Sequence, residues 1–140
     1  MPSADPSRPG RLTVSRSHGD PAVVALDGEL DSETVLLMAR AIAQCVAREP
    51  VPEVVVLDLA GVTALTPAGL RVLPHARDHV ARCGSRLRLT TPSHPGVRHA
   101  LRLSPPYATF DVYADRRAAL DAGDRRSFLE LVHRLWAAGG

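Results

Sequence analysis

At 140 residues the chain can form one domain with a real core, and a net charge of +2 is too small to point to a nucleic-acid or membrane partner. All 17 basic residues are arginine, which excludes a phosphate-cradling P-loop, because that loop needs a lysine. No apolar run approaches the ~18 residues of a membrane span, and the opening MPSADPSRPG lacks the apolar core of a secretory signal, so a cytoplasmic protein is expected.

Residues 1–10, rich in proline and serine, read as a disordered tail ahead of a domain over 11–122. Residues 12–15 alternate like a half-buried strand, residues 18–21 (HGDP) form a turn, and residues 22–26 form a second strand, giving an antiparallel hairpin. Asp31 or Ser32 can then cap a helix whose apolar stripe is Val35, Met38, Ala39, Ile42, Cys45 and Val46. Glu33 places negative charge in its first turn, and Glu49-Pro50 ends it. Residues 54–59 (VVVLDL) are a short valine-rich run suited to a central strand covered on both faces, with a turn expected at 60–62. Thr66 can cap the next helix and Pro67 fits its first position. That helix extends to about Arg82 with Pro74 inside it and an inner stripe of Gly69, Val72, Leu73, Ala76, Val80 and Cys83, and Gly84 ends it. The strict alternation of 86–90 (RLRLT) predicts a strand wet on one face. A short helix over 95–103, a strand over 110–114 and a helix over 116–122 follow. Residues 123–140 form an extension in which 124–138 make an amphipathic helix, with Phe128, Leu131, Val132, Leu135 and Trp136 on one side. That helix reads as a packing element, with a partner or dimer contact as the alternative. The alternation of strands and helices predicts an α/β fold: a single domain with a mixed, mostly parallel sheet of about five strands and flanking helices.

Chemistry-bearing patterns are sparse. Asp58 at the end of the valine run could suggest a phosphoacceptor, with Asp27, Glu29 and Asp31 as its acidic cluster, but the lysine such a site uses is absent. The simpler reading has Asp58 bonding to turn amides. His75 and His79 have helical spacing for a shared metal, yet no third ligand is evident, so neither a metal nor a cofactor is expected. Cys45 and Cys83 read as reduced, half-buried thiols. Only five aromatics accompany scattered arginines, which argues against a nucleic-acid surface. Asp27, Glu29 and Asp31 read either as a cap with two solvated carboxylates or as an acidic lip, beside the turn at Thr66, for a basic partner.

The stretch Leu26-Asp27-Gly28-Glu29-Leu30-Asp31, followed by VVVLDLAGV at 54–62 and by Ala68-Gly69-Leu70, resembles the STAS domain. More narrowly, it resembles the stand-alone anti-sigma factor antagonists of bacteria. The resemblance implies a non-enzymatic switch that docks on an anti-sigma factor of serine-kinase ATPase fold and so controls sigma factor availability and transcription. It places partner binding at the second-helix start, Thr66, Pro67, Ala68, Gly69 and Leu70, with the acidic lip of Asp27, Glu29 and Asp31 as the accompanying candidate. The family pattern Asp-Ser-Ser-Gly-Leu falls on Thr66-Pro67-Ala68-Gly69-Leu70, with the phosphorylatable serine at Pro67. The usual phosphoswitch is therefore expected to be missing. Phosphorylation of Thr66 is the less favoured alternative, since capping occupies its hydroxyl. Other STAS-type regulators and a homodimer are alternative partners. A scaffold module and a small-ligand or nucleotide-binding STAS domain are the alternative functions.

Overall fold

The computed structural model describes residues 12–122 and 134–137. Strands β1 (Leu12–Ser17) and β2 (Ala22–Leu30) form the antiparallel hairpin, in register from Leu12↔Gly28 to Ser17↔Val23. Helix α1 (Val35–Val46), strand β3 (Val54–Leu65), helix α2 (Pro67–Arg82), strand β4 (Arg86–Thr90) and helix α3 (Pro95–Leu103) follow. A 3-10 turn (Pro105–Thr109), strand β5 (Asp111–Tyr113) and helix α4 (Arg116–Asp121) complete the domain. The five strands lie in the order β1-β2-β3-β4-β5, with every pair after the first parallel.

Strand order that follows chain order makes each parallel crossover step the same way, so α1, α2 and α3 fall on one face. There Met38, Ile42, Leu73, Val80, Val97 and Leu101 pack on Val24, Leu57 and Leu89 in one core. The opposite face has a smaller core, where Ala119 of α4 meets Val23, Val54 and Val56. The valine-rich run of β3 is thus covered on both faces, as its lack of polar alternation predicts.

Three expectations need correction. β2 does not stop at residue 26, and residues 60–62 are not a turn: β3 continues to Leu65 and β2 to Leu30, paired through Asp27↔Gly61, Gly28↔Val62, Glu29↔Ala64 and Leu30↔Leu65. Register shifts on either side of Asp27-Gly28 break the apolar alternation, which hides the strand from a periodicity reading. Gly61 serves close approach rather than a turn: a Cβ there would lie 2.7 Å from the Leu26 carbonyl oxygen. β4 is not wet on one face, because Arg88 is buried against α4 and Thr90 against Asp58. Helix α1 starts at Val35, with Thr34 at its cap position, and Asp31 and Glu33 lie in the turn before it. The other elements end within two residues of their expected limits. The calls on residues 1–10 and on most of 123–140 lie outside the described residues; residues 134–137 are helical, with Leu135 and Trp136 exposed.

Candidate functional site

β4 pairs with β3 only from Val54 to Leu57. Beyond that point β3 is partnered by β2 alone, so the two strands run on together as a ribbon past the rest of the ladder. This ribbon carries Asp27 and Glu29 on one strand and delivers the chain into Thr66 on the other. The sequence reading puts the acidic residues at a strand-to-helix turn; Asp27 and Glu29 stand on β2 itself, whose end is hydrogen-bonded to the start of α2, and Asp31 follows it.

The junction is held by the Leu30 carbonyl. The Thr66 amide donates to it at 3.1 Å, and the Thr66 hydroxyl lies 3.5 Å from it. The same hydroxyl accepts the Gly69 amide at 3.4 Å, the expected N-cap. Gly69 is buried against this carbonyl: a Cβ would meet Leu30 O at 2.7 Å and the Leu30 and Leu65 side chains at 3.1 Å. Gly69→Arg would therefore disturb the junction itself and cannot serve as a docking-only variant. Pro67, by contrast, is exposed at the first position of α2, and Ala68 and Leu70 are half-buried. We expect Thr66→Ala to lower stability by about 1 kcal/mol, the usual worth of a side-chain cap, measured by urea unfolding.

Asp31 is committed to the β2–α1 turn. Its carboxylate accepts the amides of Glu33 at 2.9 Å and Thr34 at 3.0 Å. The Thr34 and Glu33 amides hold this carboxyl below the usual aspartate range, against a smaller desolvation effect that raises it. Thr34, which sequence reasoning missed, is buried; its hydroxyl donates to the Glu29 carbonyl at 2.7 Å and accepts the Asp31 amide at 3.0 Å. The reciprocal Asp31–Thr34 bonding is a box-like pattern legible in the spacing Asp-x-x-Thr. Asp27 remains exposed on the ribbon.

Asp58 is not part of this surface. It is 7% exposed, and its carboxylate accepts the Thr90 hydroxyl at 2.8 Å, the Ala60 amide at 3.0 Å and Arg116 Nε at 2.7 Å. The amide it accepts is that of Ala60, which lies in β3 and not in a turn, and its ion pair with Arg116 joins α4 to the sheet. His79 Nε2 lies 3.9 Å from Cys83 Sγ on α2, and Cys83 is half-buried. Cys45 is buried, and that burial pushes its thiol up in pKa, against the smaller opposing effects of Arg16 and Arg48. Both cysteines are free. No helix among the described residues is long and apolar enough to cross a membrane.

The fold is a single α/β domain in which one helix start lies beside an acidic strand end. The family model for "Mlab, STAS domain" matches residues 13–105. The chain belongs to the STAS domain family. Among solved structures it is similar to an anti-sigma factor antagonist from Mycobacterium paratuberculosis, at 27% identity and a TM-score of 0.70, covering 81% of this chain and 95% of that one. It is also similar to the anti-sigma factor antagonist SpoIIAA in its unphosphorylated form, at 16% identity and a TM-score of 0.60, covering 78% of this chain and 93% of that one. No curated protein matches.

Proposed function

We propose that this chain is a non-enzymatic docking domain of the anti-sigma factor antagonist type. Its partner is an anti-sigma factor of serine-kinase ATPase fold, bound through Thr66, Pro67, Ala68, Gly69 and Leu70 with Asp27, Glu29 and Asp31 alongside. The observation that carries the reading is the junction at Leu30: one carbonyl holds the start of α2 against the acidic end of β2 and leaves Pro67 facing outward. Gly69 and Leu70 match the family pattern; Gly69 is packed into this junction, and Leu70 is half-buried against the main core. Docking is not gated by phosphate at the family position, because neither Pro67 nor Ala68 has a hydroxyl. Thr66 has one, but it is engaged in capping Gly69.

A phosphate at this point would place about two negative charges on the docking surface. Pro67→Asp places one there while leaving the fold intact, since an acidic residue in the first turn of a helix is favoured by the helix dipole. The expected result, by calorimetric titration with an anti-sigma factor recovered from the source cell on the wild-type chain, is an affinity loss of about tenfold or more at an unchanged melting temperature. Full affinity in that variant would place docking elsewhere.

A scaffold role is the second reading, favoured by the exposure of Leu135 and Trp136 at 65% and 80%. It is tested by whether Trp136→Ser lowers the mass of the particle in sedimentation.

A further inference from the structure

α2 and α3 leave an open groove of about 520 Å³ between them. Pro67, Leu70 and Pro74 of α2 face Ala100 and Leu103 of α3 across it. Leu103 is 70% exposed, so an apolar floor lies open among the described residues. Pro74 has no N–H, so the carbonyl of Leu70 lacks its usual helical donor at the groove these two residues line.

The rim carries one sign of charge. Arg71 of α2 is the charged side chain that lines the groove among the described residues, with His75 beside it. α3 has no acidic residue, and α2 has none before Asp78. The positive end of the α2 dipole adds to this field beside Pro67. The acidic end of β2 joins Thr66 through Leu30, on the α1 side of α2, whereas the groove is on the α3 side.

We propose that this groove receives an amphipathic helix with an acidic flank, carried by the docking partner. An apolar stripe would fill the floor between the prolines and Leu103, and a flanking carboxylate would meet Arg71 at the rim. Charge argues against the chain's own C-terminal stretch as occupant: residues 124–138 hold Arg125, Arg126 and Arg134 against Asp124 and Glu130. A second copy offering α3 would bring arginine to arginine. The inference rests on the docking reading and deepens it. With an acidic strand end on one side of Pro67 and a basic groove on the other, the partner can seat in only one orientation.

The test uses two labelled helical peptides of about four turns. They share a leucine stripe; one carries glutamate on its flanks and the other lysine. Fluorescence anisotropy with the full chain should show the glutamate peptide binding, with affinity falling as salt rises. Leu103→Asp, at an exposed site that leaves folding intact, should weaken it about tenfold, and Arg71→Glu should shift the preference toward the lysine peptide. Equal affinity for the two peptides, indifference to Leu103→Asp, or no binding of the glutamate peptide would each overturn the inference. So would a dimer of the full chain that Leu103→Asp dissociates, since the occupant would then be a second copy. The anti-sigma factor separates the two readings. Loss of its binding in Pro67→Asp but not in Leu103→Asp removes the groove and keeps the docking face. Indifference to both variants removes the docking face, and the peptide result alone then decides the groove.

Discussion

Arg88→Met is expected to lower the stability of the domain by about 3 kcal/mol, the range seen when a buried charge network loses one partner. Arg88 is 2% exposed. Its Nη1 donates to the carbonyls of Ala119 at 2.9 Å and Ala122 at 3.0 Å, its Nε lies 3.8 Å from Asp111 Oδ2, and its guanidinium lies 5.5 Å from the centre of the Tyr113 ring. The two carbonyls belong to the end of α4, where a helix has no amides of its own left to offer. Arg88 therefore caps α4 from the sheet below it. Methionine keeps the apolar stem and removes the donors, so the loss measures the clamp rather than a cavity. Urea unfolding gives the magnitude, and hydrogen exchange gives the location: protection should fall first at Ala119 and at the α4-facing strands. A variant as stable as the parent would show that the apolar contacts of Ala119 and Leu120 suffice to hold α4.

The same residue shows where a sequence reading stops. Val54 to Leu59 could be read as a doubly covered strand because nothing polar interrupts its first four positions. Thr66-Pro67 could be read as a helix start because cap chemistry is local: one hydroxyl, one proline and an amide three residues on. Arg86-Leu87-Arg88-Leu89 shows the same alternation as a solvated strand. What buries Arg88 is a helix some thirty residues further on, through a pairing that no local pattern encodes. The extension of β2 and β3 was hidden in a similar way, since Asp27, Gly28 and Gly61 look like loop residues until each is seen to face a partner strand. Of the candidate site, the Thr66 cap was legible, whereas the Leu30 carbonyl that holds it and the buried Thr34 were not. The groove was not, because Leu103 and Pro74 lie on different helices and share only a position in space.

Asp58→Ala should be the second large loss, about 3 kcal/mol at neutral pH, and it should carry a pH signature that Arg88→Met lacks. Burial by itself would raise the pKa of this carboxyl. The Ala60 amide, the Thr90 hydroxyl and the hydrogen bond and charge of Arg116 together outweigh burial and leave the pKa below the usual aspartate range. The sign follows. A carboxyl whose folded pKa is depressed adds stability that is present above its unfolded pKa of about 3.9 and is lost as pH falls through the lower folded value. The parent should therefore lose stability steeply below about pH 4, and Asp58→Ala should have a shallower acid limb. Removing the carboxylate also orphans the Thr90 hydroxyl from one partner and frees Arg116, which is half exposed and can rehydrate. Arg116→Ala alone should for that reason lose less than Asp58→Ala, because the amide and hydroxyl still satisfy the carboxylate. Melting temperatures of the parent and both variants from pH 3 to pH 7 check the order and the slope together. Parallel acid limbs for parent and Asp58→Ala would mean that the acid sensitivity resides elsewhere, with the amide-bonded Asp31 the next carboxylate to remove.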